Sequence, residues 1–517
     1  MATSSPLAFE DRQRGLHAIL ALVFVVCIAR LWLMPLGSSF WVDELVTFFV
    51  VHHGTSHPSL AVAPQVSASI YYALPQAAEA LLGFSEIAYR LPSVLAMATA
   101  LLLITRLAAR LVHPRAGWFA AFACLALSGI NYQAADARPY GLGTCVAVAS
   151  FWFLVRWLDT ARWTDGLLFV LSAGLLWRVH LIYWPLYIVF FLYAVVRLSR
   201  RETNVRWLLA VAVLALLGVI LLPVLVSALA ILRQAASHAF APVPEYRALF
   251  NSLKLGLVVV CGVMAWLLRR WQSARPPASD PEDVPVARIA SWSTLALVGG
   301  WWLLHPLCLF VYSRLSGNSV FLSRYLSVAL LGGVLAAVCV AGLFMPPACW
   351  RKAALLLGVG VLLLMGQWGA AWPRHDESDW RGAAHQLQEL GISPDTPVIT
   401  PSPFYEARPP VWSPDYALPG FLYAHFEGYP IPGAPILFPF APSPEAFQYA
   451  ITLTQQTLST TSRFAIYGGD RNARTWRDWF AARPELAGWR QTTFNQFGNI
   501  WVVLFERSPD AAPASDH

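Results

Sequence analysis

Long apolar runs separated by short polar connections fill the first 372 residues of the chain, and mixed, charge-bearing patterns replace them from Pro373 onward. As helices, runs of about 17 to 25 apolar residues match the hydrocarbon thickness of a bilayer. Such runs fall near 16–36, 90–110, 116–134, 141–158, 165–180, 181–197, 207–230, 251–269, 291–312, 323–345 and 353–372, and predict about eleven transmembrane helices. The fifth and sixth divide one apolar stretch that Arg178, His180 and Pro185 interrupt. Beyond Pro373, β-like runs at Pro397 to Thr400, Phe464 to Tyr467 and Ile500 to Phe505 alternate with helical patterns near Trp380 to Leu390 and Thr475 to Arg483. That alternation predicts a small α/β domain. The expected fold class is an all-α polytopic membrane domain over 1–372, with its first external loop at 37–89, followed by a C-terminal extracytoplasmic α/β domain over 373–517.

Composition strengthens the membrane assignment. The chain is 57% hydrophobic and 13% charged, with mean hydropathy +0.53, whereas ordinary soluble domains carry about 25% charged residues. Nucleic acid is excluded as a partner, and membrane lipid is expected as one. Arginine clusters mark alternate connections: Arg12 and Arg14; Arg106, Arg110 and Arg115; Arg156 and Arg162; Arg197 to Arg206; Arg269 to Arg288; Arg351 with Lys352. Basic residues favour the cytoplasmic side, so the N-terminus is expected inside, and Asp43-Glu44 and the segment after Trp372 outside. The first apolar run spans without a small-residue cleavage site and is expected to stay as an anchor. Seven cysteines within or beside apolar runs, with no metal-type CxxC pair, read as small core residues. Ser67 to Leu82 has the pattern of a helix lying on the interface, and 270–290, with Pro276-Pro277 and Asp280-Pro281, reads as a solvated linker.

Few polar groups remain that could carry chemistry. Asp43 and Glu44 stand just outside the first span, enclosed by Ser38-Ser39-Phe40-Trp41 and Leu45 to Val51. Being adjacent, their side chains diverge, so one can act while the other braces; the plainer alternative is a solvated pair or a helix cap. Asp136 and Arg138 lie in Asn131-Tyr132-Gln133-Ala134-Ala135-Asp136-Ala137-Arg138-Pro139-Tyr140 and are either an interfacial pair or contacts for a sugar hydroxyl and an anionic head group. Arg324, in Phe321-Leu322-Ser323-Arg324-Tyr325-Leu326, either snorkels to lipid or forks onto a substrate phosphate. His180, alone in an apolar setting, is either a core group or a ligand. His52, His53 and His57 with Asp43, Glu44, Glu79 and Glu86 supply nitrogen and oxygen donors, so a divalent cation is the one candidate cofactor, without a tight ligand spacing behind it.

Taken in order, Phe40-Trp41-Val42-Asp43-Glu44, Glu86-Ile87-Ala88-Tyr89-Arg90-Leu91-Pro92-Ser93, Gln133 to Tyr140, Phe321 to Leu326 and Asp379-Trp380-Arg381 resemble the polytopic GT-C glycosyltransferases, specifically bacterial relatives of protein O-mannosyltransferases and of the lipid A aminoarabinose transferase. The resemblance covers most of 10–390. It implies a hexosyl or pentosyl transferase of the bacterial inner membrane that takes its sugar from a polyprenyl-phosphate donor and passes it to a glycolipid, polysaccharide or protein acceptor. It implies Asp43 as catalytic base, with Glu44 beside it, and Arg324 by the donor phosphate. Asp136, Arg138, Tyr140, His180 and Tyr325 complete the expected substrate-binding set. Two departures put the acceptor in question: His57-Pro58-Ser59 is separated from Tyr71-Tyr72 where the family has a compact motif, and Asp136 stands where the family usually has glutamate. A lipid-linked saccharide carrier would use the same arginines without making a bond, but paired repeats and mid-membrane broken helices are not evident. A receptor-like scaffold is the third reading.

Overall fold

The computed structural model describes residues 6–53, 69–232, 242–273, 289, 291–401, 424–440 and 442–508. His57 and most of the expected 270–290 linker, including Pro276-Pro277 and Asp280-Pro281, lie outside the described residues. The chain divides into two compact units, residues 1–36 with 68–373 and residues 37–67 with 374–517.

The first unit is helical, and the chain is a multi-pass membrane protein. Among the described residues eight helices are long and apolar enough to cross a bilayer: Arg14–Gly37, Glu86–Leu111, Pro139–Thr160, Leu181–Ser199, Leu255–Gln272, Trp292–Ser316, Ser327–Phe344 and Pro347–Met365. The exact count of eleven is not confirmed among the described residues. Of the three remaining runs, Trp163–Val179 has 17 residues, Trp207–Leu232 is a single apolar helix of 26 residues, and the 116–134 run breaks into Gly117–Leu125 and Ser128–Ala134. The break has a local cause. Leu127 is extended (φ −105°, ψ 111°), and the Asn131 amide donates to the freed Leu125 carbonyl at 2.8 Å while its oxygen accepts from Trp32 Nε1 at 2.9 Å. In hydrocarbon a backbone carbonyl must find such a partner inside the protein.

Helix ends in this unit are tied by arginines. Asp159, at the end of Pro139–Thr160, takes Arg110 and Arg197 each at 2.6 Å. Three helix ends that the charge count assigns to one side therefore meet at a single carboxylate. At the other end of the first span the buried Arg90 donates to the Leu36 carbonyl at 2.8 Å. Arg30 donates to the carbonyls of Gly366 (2.7 Å) and Ala371 (2.7 Å) past the last membrane helix. Ser327–Phe344 packs closely on its neighbour: a Cβ at Gly332 would lie 2.6 Å from the Trp302 backbone nitrogen, a contact that small residues permit between membrane helices. Within Ser67 to Leu82 a helix forms at Ala73–Leu82, with Leu81 84% exposed and Glu79 accepting from the Tyr89 hydroxyl at 2.5 Å. All seven cysteines are free.

The second unit is built on a five-stranded sheet in the order β2-β1-β3-β5-β4: β1 Pro397–Pro401, β2 Ala434–Phe438, β3 Arg463–Gly469, β4 Trp489–Phe497 and β5 Ile500–Arg507. β1 pairs in parallel with both β2 and β3, and β5 runs antiparallel to β3 and β4. The expected small α/β domain is thus present. Its core stacks Phe464 on Phe505 (4.7 Å between rings) and sets Trp476 edge-on to Phe438 (4.7 Å). Residues 38–53 belong to this unit. Ser38 Oγ accepts from His375 N (3.1 Å), Ser39 Oγ from Arg381 N (3.3 Å), and the Tyr429 hydroxyl from Phe40 N (2.7 Å). Farther along, His53 pairs with Glu427 at 2.8 Å.

A buried histidine makes this unit sensitive to acid. His425 is fully buried, its ring 4.9 Å from Trp380 and stacked at 5.9 Å on Tyr467, and burial pushes its pKa down from 6.5 to about 3. The folded form stays neutral where the unfolded chain binds a proton, so this group's contribution to stability is present above pH 6.5 and is lost as pH falls toward 3. The slope is about 1.4 kcal/mol per pH unit. The melting temperature of the full chain in detergent is expected to fall more steeply from pH 6.5 to 5 than that of His425→Phe; parallel curves would remove His425 as the cause.

Candidate active site

Five of the expected substrate-binding residues converge in the membrane unit. Pro139 occupies the first turn of Pro139–Thr160, which suits its fixed φ and missing N–H, and the preceding Arg138 is held extended (φ −133°, ψ 160°), as the residue before a proline prefers. This local geometry puts the Arg138 guanidinium 5.9 Å from the ring of Tyr140, the second residue of the helix. Tyr140 lies 5.7 Å from both His180 and Tyr325, and His180 lies 5.4 Å from Tyr325. The Arg324 guanidinium sits 5.5 Å from the Tyr325 ring. Asp136, Arg138 and Tyr140 are buried, whereas His180, Arg324 and Tyr325 are half-buried.

His180 occupies the turn between Trp163–Val179 and Leu181–Tyr183, and its Nδ1 accepts from the Ile182 N–H at 3.2 Å. With Nδ1 accepting, the ring proton of the neutral form resides on Nε2, which is presented as a donor. Desolvation by its surroundings, and then the Arg138 and Arg324 guanidiniums, push the pKa of this turn histidine down to about 3. Two cations therefore bear on one neutral imidazole. An anion placed among them would meet two permanent positive forks and a hydrogen-bond donor, the composition of a phosphate site.

Behind these residues is a second group that the sequence did not single out. The five-residue π-turn Gly300–Leu304 leads into His305, whose Nε2 lies 2.9 Å from the Tyr325 carbonyl and anchors the segment bearing Arg324. Tyr183 stacks against His305 at 6.5 Å and packs so tightly on Gly143 that a Cβ there would lie 2.2 Å from its hydroxyl. Among the described residues the Tyr183 and Thr144 hydroxyls and His305 Nδ1 are buried without a hydrogen-bond partner. So are Ser93 Oγ and Gln133 Oε1. Buried polar atoms are seldom left so, and these five can still bond a ligand. Ser93 and Gln133 stand in motifs quoted above; Tyr183, Thr144 and His305 carried no motif at all.

In the second unit, Asp43 and Glu44 open the helix Val42–His53 and do different things. Glu44 is fully buried and accepts from the Trp41 N–H at 3.2 Å, the reach-back bond of a capping box. Asp43 is half-buried at the second helical position. Glu44 and His375 bring a carboxylate oxygen and an imidazole nitrogen within 4.8 Å of each other, a donor pair of the kind a divalent cation uses. Other donors considered for such an ion are engaged separately: His52 Nδ1 lies 3.0 Å from the Phe48 carbonyl, His53 pairs with Glu427, and in the membrane unit Glu79 takes the Tyr89 hydroxyl. Asp379 caps the helix Trp380–Glu389 by accepting from Gly382 N at 2.9 Å, and Arg381 donates to the Gly37 carbonyl at 2.7 Å.

Comparison with known proteins agrees with this architecture. Residues 69–226 match the model of a family described as dolichyl-phosphate-mannose-protein mannosyltransferase. No curated protein matches. The fold is similar to ArnT from Cupriavidus metallidurans in the apo state, at 14% sequence identity and TM-score 0.53, covering 96% of this chain and 98% of that one. It is also similar to the same protein bound to undecaprenyl phosphate, at 13% identity and TM-score 0.50, covering 96% and 99%. At this identity the likeness shows the fold alone: the chain has the architecture of these ArnT structures.

Proposed function

We propose that this chain, a multi-pass membrane protein of GT-C fold, is a glycosyltransferase that moves a sugar from a polyprenyl-phosphate donor to a hydroxyl of a cell-envelope glycolipid, polysaccharide or protein. The observation that carries the reading is the convergence of Arg138 and Arg324 on the neutral His180, walled by Tyr140 and Tyr325. The similar ArnT structure with undecaprenyl phosphate supports a lipid phosphate as the anion. The site is taken to work at the extracytoplasmic face of a bacterial inner membrane, where the positive-inside count places the turns that carry Arg138 and Arg324.

In the reaction the bond from the sugar's anomeric carbon to the phosphate oxygen breaks, its electron pair leaving with the phosphate. A new bond forms to the acceptor oxygen, whose proton passes to Asp43 as general base. Arg138 and Arg324 stabilise charge on the departing phosphate. A phosphate leaves without being protonated, so one carboxylate suffices, unlike glycoside hydrolysis with its two. Attack opposite the phosphate inverts the anomeric centre. Purified full-length protein, incubated with a labelled polyprenyl-phosphate sugar and envelope fractions, is expected to yield a labelled glycosylated product. Transport of the label with no new bond would replace the reading with a carrier.

The Gly143 contact gives a further test. Gly143→Ala inserts a methyl against the buried Tyr183 hydroxyl, and overpacking of this kind costs about 1–3 kcal/mol. The Tyr183 ring has His180 at 6.3 Å and His305 at 6.5 Å as neighbours, so its displacement bears on the donor site. A rise of roughly tenfold in the donor KM is expected, with the protein still monodisperse in detergent. An unchanged KM would show that Tyr183 plays no part in shaping the donor site.

A further inference from the structure

An apolar groove of about 640 Å³ runs along the outside of the first helix, Glu86–Leu111 and Gly117–Leu125, and it has a basic end. Phe24, Leu101 and Trp118 line its length, and His17, Arg115 and Arg351 line one extremity; no Asp or Glu is among its lining residues. Its wall is firm, with Phe24 edge-on to Trp118 at 5.6 Å and to Phe122 at 6.1 Å. On Glu86–Leu111 the lining extends from Val94 to Thr105, about 17 Å at the helical rise, close to the ~15 Å of one leaflet. One side is open to the bilayer, where Leu102 is half exposed.

Arg351 is half-buried and makes no hydrogen bond or ion pair with any described residue, and the charge acting on it is that of another cation, Arg115. Both belong to the arginine clusters that mark the cytoplasmic side. A guanidinium held beside a second guanidinium at the mouth of an apolar channel is complementary to a molecule with an anionic head and a hydrocarbon chain. We infer that this groove is a binding site for an anionic glycerophospholipid of the cytoplasmic leaflet, its phosphate on Arg351 and one acyl chain along Phe24, Leu101 and Trp118. The site involves neither Arg138 nor Arg324, so it stands or falls apart from the transfer reaction.

Native mass spectrometry of the full chain released from mixed micelles containing equal phosphatidylglycerol and phosphatidylcholine tests the inference. Wild type is expected to retain one phosphatidylglycerol at least tenfold more often than phosphatidylcholine. Arg351→Gln removes the head contact, and Ala98→Trp, at an exposed lining position, fills the groove. Each is expected to lower that retention tenfold or more, while Arg351→Lys keeps most of it. Equal retention of the two lipids by wild type, or unchanged phosphatidylglycerol retention in Ala98→Trp, overturns the site. If Arg351→Gln does not fold, Ala98→Trp and Arg351→Lys decide the matter.

Discussion

Asp43→Asn is expected to leave a folded protein whose rate of sugar transfer is lower by roughly 10²–10⁴-fold, the range a positioned general base supplies. The substitution keeps the shape of the side chain at the second position of Val42–His53, and the loss of a favourable carboxylate at a helix N-terminus costs about 0.3–1 kcal/mol. Donor binding should survive, because the proposed phosphate ligands are arginines elsewhere in the chain. Glu44 provides the internal comparison. It bonds the Trp41 N–H, and glutamine can take over that reach-back bond, so Glu44→Gln is expected to retain most activity whereas Glu44→Ala loses stability by about 1 kcal/mol. Single-turnover assays with purified protein separate these outcomes. Undiminished turnover in Asp43→Asn would take that residue out of the chemistry.

The second large effect is expected at Arg324. A charge-assisted hydrogen bond contributes about 1.5–3 kcal/mol, so Arg324→Gln should weaken polyprenyl-phosphate binding by roughly 10- to 100-fold. Arg138→Gln should do the same, and the two together should add less than their sum if both hold one phosphate. Arg324→Lys keeps the charge and loses the planar fork, and an intermediate affinity is the expected result. The measurement is the dissociation constant for polyprenyl phosphate itself, read in detergent micelles for each single and the double variant. Full additivity would mean that the two guanidiniums serve different anions.

Much of this arrangement is legible in the sequence. Apolar periodicity located every helix of the membrane unit that meets the length requirement, because hydrocarbon demands long runs with satisfied backbones, and arginine placement grouped Arg110 and Arg197 at one end, where Asp159 joins them. Asn131 to Tyr140 stood out as polar groups between two spans, and the cluster around Tyr140 is built from it. Other features left no local trace. That residues 38–53 fold with 374 onward rests on bonds such as Phe40 N to Tyr429, contacts across more than three hundred residues that no window of sequence encodes. The expected helix over 116–134 breaks because Asn131 offers the backbone an alternative partner, a choice that hydropathy does not register. Tyr183 and His305 stand in no motif, and a buried hydroxyl or ring nitrogen without a partner is visible only once its neighbours are known.

The π-turn at Gly300–Leu304 has an evolutionary implication. A wide turn of this type accommodates one residue more than regular winding needs, so five residues cover nearly the arc that four would, and losing one of them would leave Trp292–Gly299 and His305–Ser316 in phase. The change would be absorbed inside the turn, where Trp301 reaches the Val328 carbonyl just before His305 takes that of Tyr325. A homologue with a one-residue gap at this point could therefore keep both helices and alter only the side chain presented at Val328.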